Sequence, residues 1–254
     1  MQPKGRQDGG MKSDPLPRLA RAEAAAHARS GEFGAVAHFG PLVAVHAGLN
    51  LPVNAAWHDG TDGLTEAELD GFEAFSAEHG QPTTLHVLSH AAPALLPAMR
   101  ERGYELAYVL HAYTHDLNAL PPAPTLTVRE EPDANLWADL SARGFGPGAE
   151  AIMRLVAHAP GTVRLVAEVD EQPAGSAALS VTQGVAAFYG TSTRPEFRGR
   201  GVQATLLAAR LHRAAAAGAD LASVFVTPGS GSERNVRRVG FQVAGVRLTF
   251  TRAG

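Results

Sequence analysis

The apolar positions of the first 120 residues follow helical spacing in some segments and strand spacing in others. Residues 16–29 are rich in alanine and leucine, and a capping box at Thr65 and Glu68 precedes phenylalanine and leucine residues at helical spacing. Short runs rich in valine and threonine lie between them and favour strands. The pattern predicts helices over 16–29, 65–79 and 92–102 and strands over 35–39, 42–45, 83–88 and 105–114.

The second half of the chain begins at about residue 125 and has a different order of predicted elements. Its clearest segment is a helix over 202–217, in which leucines share one face and arginines another. The turns are predicted at 171–175 and 183–184. The predicted strands are 125–128, 162–169, 175–181, 185–191, 221–227 and 241–251, and the predicted helices are 134–144, 148–158, 202–217 and 232–239. The order is β, α, α, β, β, β, α, β, α, β.

A proline-rich run separates the two halves. Pro121, Pro122 and Pro124 cannot enter a helix interior or a central strand, so this run is the predicted domain boundary. The first fifteen residues are mostly glycine, proline and polar residues, which is typical of a disordered leader. The expected organisation is a leader at 1–15, an N-terminal domain at 16–120, a linker at 121–124 and a C-terminal domain at 125–254.

Composition excludes several classes of function. The chain of 254 residues has no cysteine, which excludes disulfides, cysteine-ligated metals and a thiol nucleophile and makes a reducing cytoplasm the expected location. No apolar run approaches the roughly 18 residues of a membrane helix, and the start lacks the apolar core of a secretion signal, so no membrane association is expected. The net charge of −3 divides unevenly: residues 1–120 carry 8 basic and 14 acidic residues, and the remainder carries 14 and 11.

The segment that carries chemistry joins the strand 185–191 to the helix that starts at 202. A loop of glycine and arginine precedes the helix, where backbone N–H groups are unpaired and the helix dipole is positive. Arginines outnumber the lone Glu196 around it, which suits a polyanion. The arginines are Arg194, Arg198, Arg200, Arg210 and Arg213. The segment predicts a site for a phosphate-type anion.

Two known phosphate-binding motifs do not fit this loop. Gly199-x-Gly201-x-x-Ala204 matches the dinucleotide fingerprint, but Asp220 precedes the next strand instead of ending it, and too little chain follows for a doubly wound sheet. A Walker loop needs a lysine, and this segment has none.

The element order and the pattern Arg198-x-x-Gly201-x-Gln203 resemble the GNAT superfamily of N-acetyltransferases. The resemblance covers 125–254 and extends to Arg238-x-Gly240-Phe241, which is similar to the family's fourth helix and its entrance to the next strand. It implies an α/β fold of the α+β type, with a mixed and mostly antiparallel sheet flanked by helices. It also implies binding of acetyl-coenzyme A, with no metal. The residues implied to bind it are Thr191, Ser192, Thr193, Arg198, Gly199, Arg200, Gly201, Val202, Gln203, Ala204 and Asn235.

The same resemblance implies direct acetyl transfer to a primary amine of a small molecule or peptide. Many members of the family place a tyrosine on the fourth helix as acid and a glutamate on the strand before the loop as base. Neither is present here, so the catalytic residues are unknown, with Tyr189 and Asn235 as weak candidates. Either a water relay or a residue of the other half is expected to serve, or the activity is expected to be feeble. The alternative function is a non-catalytic sensor that binds acyl-coenzyme A, and a third is a nucleotide-binding module.

The N-terminal half resembles a degenerate second copy of the same fold, so a tandem arrangement is expected. Arg102-Gly103-Tyr104 is similar to the family's glycine–aromatic entrance to a late strand, but no anion-binding loop is present. We expect the acidic loop at 59–70 to help form the acceptor pocket and to favour a cationic acceptor.

Three further expectations follow from residues outside the loop. His111 and His115 lie on a predicted strand, about 13 Å apart, and are therefore not expected to bind a metal together. Basic residues are not interleaved with aromatic residues, so nucleic acid is not an expected partner. The protein is expected to be a monomer or a homodimer.

Overall fold

A computed structural model describes residues 14–252 of the chain. The predicted leader lies outside the described residues over 1–13, and the first helix begins at Pro15. The helices are α1 Pro15–Ala28, α2 Glu66–Glu78, α3 Ala92–Glu101, α4 Ala134–Phe145, α5 Glu150–His158, α6 Val202–Ala216 and α7 Gly231–Arg238. The strands are β1 Ala35–Phe39, β2 Leu42–His46, β3 Ala56–His58, β4 Thr83–Leu88, β5 Glu105–His115, β6 Thr127–Glu130, β7 Val163–Val169, β8 Gln172–Thr182, β9 Val185–Thr193, β10 Leu221–Val226 and β11 Gln242–Arg252.

The structure corrects the predicted elements at two places. Strand β3 was not predicted, because its three residues are too short for a periodic signal. The turn predicted at 171–175 is tighter than expected: Asp170 and Glu171 form it with φ of 51° and 62°, and β8 already begins at Gln172. Every other predicted helix and strand is present within a few residues of its expected limits.

One mixed, mostly antiparallel sheet of eleven strands runs through both halves in the order β1-β2-β3-β4-β11-β5-β10-β9-β8-β7-β6. The last strand of each half lies in the sheet of the other half. Strand β11 pairs with β4, and β5 pairs with β10. The two exchanged strands also pair with each other along nearly their whole length. The halves therefore share main-chain hydrogen bonds across the predicted linker.

The two halves repeat one plan. In each half an antiparallel series of strands, β1-β2-β3 or β7-β8-β9, is followed by a helix and then by a strand parallel to the last of the series. The repeat explains why the first half resembles a second copy although it lacks the glycine and arginine loop.

Helices cover both faces of the sheet. Helices α1, α4 and α5 cover one face, which we call the α1 face. The hydrophobic clusters between these helices and the sheet include Trp57 and Trp137. The opposite face, which we call the α6 face, is covered by α2, α3, α6 and α7. No helix among residues 14–252 is both long and apolar enough to span a bilayer.

Helix α1 belongs to the first half by sequence but is bound to both halves. Arg18 pairs with Asp220 at 2.9 Å, and Arg29 donates to Thr182 and Ser180 at 2.7 and 3.1 Å. These contacts hold α1 against β8 and the start of β10. They also give Asp220 a role in joining the halves, which agrees with the exclusion of the dinucleotide motif.

Because the sheet is shared, we expect the two halves to unfold together. Phe250 on β11 is 6% exposed in the core of the first half, so Phe250→Ala should lower the free energy of unfolding by about 3–5 kcal/mol. The single tryptophan of each half, Trp57 and Trp137, reports on that half when the other is replaced by phenylalanine. In urea unfolding followed by fluorescence, Phe250→Ala should shift the transition midpoint by the same amount with either tryptophan as the reporter.

The matched control is Val243→Ala on the same strand, where the side chain is 60% exposed and the expected change is within about 0.5 kcal/mol. If the halves unfolded independently, Phe250→Ala would lower the unfolding midpoint reported by Trp57 and leave the midpoint reported by Trp137 unchanged.

Candidate functional site

The turn between β9 and α6 exposes the start of the helix. Gly199 and Gly201 have φ of 78° and 79°, a left-handed conformation that glycine adopts without strain, and a side chain at either position would meet no atom within 4 Å. Gly201 caps α6 without a side-chain hydrogen bond, and the first helical bond runs from the Thr205 N–H to the Gly201 carbonyl. The N–H groups of residues 202–204 therefore remain free to bind an anion.

A groove of about 780 Å³ lies along this turn between α6, α7 and the end of α4. Of the eleven residues predicted to bind acetyl-coenzyme A, the structure brings ten to the groove wall. These are Thr191, Ser192, Thr193, Arg198, Gly199, Gly201, Val202, Gln203, Ala204 and Asn235. The wall is completed by residues that the sequence did not indicate, namely Gly144, Phe145, Phe197, Gly231, Arg234 and Arg238.

Arg200 is the predicted residue that does not line the groove. Its guanidinium points away and pairs with Asp170 of the β7–β8 turn at 2.9 Å. Arg200 lies between Gly199 and Gly201 in the loop, and its side chain extends to the side of the loop opposite the groove.

The positive charge of the groove comes from a different set of arginines than the sequence suggested. Arg194 pairs with Glu196, Arg213 pairs with Glu130, and Arg210 is 1% exposed in the core, where burial lowers its pKa to about 9. Arg198, by contrast, is exposed on the groove wall, and no described carboxylate lies within 4.0 Å of it. Arg234 and Arg238 of α7 also have no described ion-pair partner. Three unpaired guanidinium groups thus surround the helix start.

Gln203 links the two helices that form the groove. Its side-chain oxygen accepts from Asn235 Nδ2, and its Nε2 donates to Ser232 Oγ at 3.3 Å. The Asn235 oxygen in turn accepts from Arg238 at 3.4 Å. The Asn235 nitrogen therefore holds α7 against α6, and its oxygen makes a contact within α7.

A second interaction fixes α7 on the sheet from below. Glu233 accepts hydrogen bonds from His111 Nδ1, the Tyr113 hydroxyl and the Gly229 N–H, at 2.6, 2.9 and 2.7 Å. These bonds, the one from His111 first, lower the pKa of Glu233 to about 2. His111 belongs to the exchanged strand β5. The first half of the chain therefore positions α7, a helix of the second half that lines the groove.

Strands β9 and β10 separate beside the groove. Their parallel pairing ends at Phe188 and Val224, although β9 continues to Thr193. A cavity of about 610 Å³ passes through the gap and is lined from both faces of the sheet. It shares Phe145, Thr191 and Gln203 with the groove, so the two spaces are continuous.

Glu23 of α1 lines this cavity on the α1 face. It is the only acidic residue of its helix, and one carboxylate oxygen accepts from Ser223 Oγ at 3.3 Å. Ser223 lies one position before the last residue pair of β9 and β10, so the carboxylate is close to the gap. Burial raises the pKa of Glu23 to about 7, against the opposing influence of Arg247 and the Ser223 hydroxyl.

Tyr189, the other weak catalytic candidate, lies on the same face. Its hydroxyl is 3.0 Å from Thr162 Oγ1, and burial raises its pKa above the ordinary value of a phenol. It lines the cavity and a smaller one of about 180 Å³ between α1 and α5, which also contacts Glu23. The hydroxyl is thus directed away from the anion-binding turn.

The acidic loop at 59–70 does not line the cavity, contrary to expectation. The first half instead contributes Glu23, Trp57 and Leu110 to the cavity wall. Its strand β5 also pairs with β11 at Arg247, which lines the same cavity. Among residues 14–252 no group of three or more acidic or histidine residues is placed to hold a metal ion. Sequence reasoning missed Glu23. The one signal that could have indicated it is a lone carboxylate on an alanine-rich helix.

Comparison with known proteins gives a family for the second half and a fold for the whole chain. Residues 129–241 match the model of the acetyltransferase (GNAT) family. Among curated proteins, no sequence matches the chain.

Solved structures resemble the chain over nearly its full length. A GCN5-related N-acetyltransferase from Kribbella flavida is 19% identical with a TM-score of 0.77, and the match covers 95% of this chain and 97% of that one. A GCN5-related N-acetyltransferase from Sphaerobacter thermophilus is 19% identical with a TM-score of 0.57, covering 94% of each chain. A tandem GNAT protein from the clavulanic acid biosynthesis pathway is 16% identical with a TM-score of 0.58, covering 83% of this chain and 77% of that one.

At these identities the solved structures establish the fold, and the family model identifies a GNAT domain within the second half. Residues 129–241 of the chain, which include the glycine and arginine turn and the parted strands, match the GNAT family of acetyltransferases.

Proposed function

We propose that the protein transfers an acetyl group from acetyl-coenzyme A to a primary amine by direct attack. The observation that carries the proposal is the continuity of two spaces at Thr191 and Gln203. On one side lies a turn suited to a pyrophosphate, and on the other lies a carboxylate whose pKa of about 7 suits proton transfer near neutral pH.

The groove fits the donor through backbone and arginine groups. The free N–H groups at the start of α6 would bind the pyrophosphate, and Arg198, Arg234 and Arg238 would add charge. The end of β9 would bind the pantetheine arm through main-chain groups that β10 leaves unpaired after Phe188. The acetyl group then lies at the gap between the strands.

The reaction needs a proton acceptor, an oxyanion donor and alignment. Glu23 takes one proton from the substrate ammonium, and the free amine attacks the thioester carbonyl. A new C–N bond forms as the C–S bond breaks, and the thiolate of coenzyme A leaves and takes up the second proton that the acetylated nitrogen must lose, directly or through a water molecule. An N–H group at the end of β9 would stabilise the carbonyl oxygen as it becomes negative. Holding the two reactants at the gap supplies much of the acceleration.

A non-catalytic sensor of acyl-coenzyme A is the second candidate. It is favoured by α7, which has no tyrosine to protonate the thiolate, and by Asn235, whose amide is already bound at both ends. Release of free thiol from acetyl-coenzyme A, measured over a panel of amines, separates the two functions when calorimetry is done in parallel. Binding with turnover supports the transferase, and binding without turnover on any amine supports the sensor.

Arg198 and Arg200 provide a matched test of the donor site. Arg198→Ala removes an unpaired guanidinium from the groove and should weaken coenzyme A binding about tenfold, since a hydrogen bond to a charged group contributes about 1.5–3 kcal/mol. Arg200→Ala removes the exposed pair with Asp170 and the contact of the guanidinium with the Phe197 ring, and it should change the dissociation constant less than about twofold. Calorimetry with coenzyme A measures both, and equal losses would contradict the assignment of the groove.

Glu23 should give the activity its pH dependence. Because only the carboxylate accepts a proton, kcat/KM should rise with pH through an apparent pKa of about 7. Glu23→Gln should remove this rise and lower kcat by at least about 100-fold while leaving the affinity for acetyl-coenzyme A unchanged.

Glu32→Gln is the control, because Glu32 is exposed and lies outside the cavity. A pH profile that keeps its rise in the Glu23→Gln protein would show that another group is the base.

A further inference from the structure

The cavity on the α1 face contains a guanidinium group that the transfer reaction does not use. Arg247 of β11 lies among three aromatic rings, 5.6 Å from the centre of Trp57, 5.6 Å from Tyr108 and 5.2 Å from Phe225. It lines the same cavity as Glu23. The rings hold the planar group in one orientation.

Arg247 has very few partners for a buried cation. Its Nη2 donates to the Tyr108 hydroxyl at 3.3 Å, and its Nε is inaccessible to solvent without any hydrogen-bond partner among the described residues. No described carboxylate lies within 4.0 Å of it. Burial lowers the pKa of Arg247, as expected for a cation in a cavity that does not neutralise it. A guanidinium has five N–H donors, so most of its capacity is unused.

The neighbouring charges leave this end of the cavity positive. Arg29 contacts only the hydroxyls of Ser180 and Thr182, and Glu23 is the one carboxylate of the cavity wall. Burial and the charge of Arg247 hold the pKa of His86 well below its ordinary value, so this histidine is neutral and leaves Arg247 as the cation at this end. The cavity therefore has a fixed cation opposite a single titratable acid, and the acidic loop expected to favour a cationic acceptor is elsewhere.

We propose that the acceptor is an amine that also carries a carboxylate, which forms an ion pair with Arg247 while the amine is presented to Glu23. The proposal rests on the proposed acetyl transfer and names its substrate class. An anion at Arg247 satisfies a group that otherwise remains under-bonded, which is the situation in which a charged pair contributes most to recognition.

The dimensions and walls of the cavity suit a small molecule of this kind. A volume of about 610 Å³ accommodates an amino acid together with the acetyl end of the donor, and Trp57, Leu110 and Phe225 offer apolar contact. The small cavity between α1 and α5 adjoins it at Glu23 and Tyr189 and gives a way in on the face opposite the donor groove.

The experiment compares each acceptor with a form that lacks the negative charge. The probes are glycine, β-alanine, 4-aminobutyrate, 6-aminohexanoate and L-phenylalanine, each beside its carboxamide, with thiol release from acetyl-coenzyme A as the signal. At least one carboxylate should exceed its carboxamide in kcat/KM by about tenfold or more. The probe with the highest kcat/KM shows which spacing between amine and carboxylate matches the separation of Glu23 and Arg247.

Arg247→Met tests the assigned residue while keeping its length and apolar stem. It should reduce the preferred carboxylate to the level of its carboxamide, mainly through KM, and leave the affinity for acetyl-coenzyme A unchanged. Because Arg247 lowers the pKa of Glu23, its removal changes the base for both acceptors alike, so the ratio of their kcat/KM values is the quantity compared. Arg252→Met is the control, because Arg252 lies on the same strand against the Tyr104 ring but is already paired with Glu73 at 3.0 Å. Arg247→Lys, which keeps the charge without the planar fork, should be intermediate and covers the case in which Arg247→Met does not fold.

The outcomes separate this inference from the function on which it rests. Absence of acetyl-coenzyme A binding overturns both. Turnover in which every carboxamide equals or exceeds its carboxylate overturns the substrate class alone, and so does a carboxylate preference that persists in Arg247→Met. If the donor binds but no probe reacts, thermal stabilisation by the N-acetyl products decides: stabilisation by the carboxylates that is lost in Arg247→Met supports the inference, and its absence contradicts it.

Discussion

The antiparallel pairing of β5 with β11 is the constraint on which the rest of the molecule depends. Each strand comes from one half of the chain and lies in the sheet of the other half, so their shared hydrogen bonds make one sheet of eleven strands. This pairing sets His111 under α7 and Arg247 opposite α1. The groove at the β9–α6 turn and the cavity beside Glu23 consequently have a fixed relation, although they are built from residues more than a hundred positions apart.

The site arises where the sheet stops being continuous. After Phe188 and Val224 the strands β9 and β10 part, and the main-chain groups that would have paired with each other become available to a ligand. The arginines and helix start lie on one side of this opening, and Glu23, Arg247 and the aromatic rings lie on the other. Ligands that bind from opposite faces of the sheet can then meet at this opening.

Much of the fold and of the donor groove could be predicted from the sequence, because both depend on local signals. The spacing of apolar residues located nearly every element, and the glycines at 199 and 201 indicated a turn that exposes a helix start. The exchanged strands could not be predicted, since a strand's partners are set by tertiary packing and not by its own pattern. For the same reason no pattern in the sequence indicates that Arg247 and Glu23 line one cavity. It also could not show that Arg200 pairs outside the groove, because Asp170 is thirty positions away.

The exchange of strands also bears on how such a protein can change over generations. An ancestor with two separate copies could lose one of them and keep a folded remainder. Once β5 and β11 have changed places, a gene cut between the halves encodes two segments that each lack a central strand of their sheet. Loss of the half without the glycine and arginine turn would therefore also remove a strand from the sheet of the other half, so this half is needed for folding as well as for any part it has in catalysis.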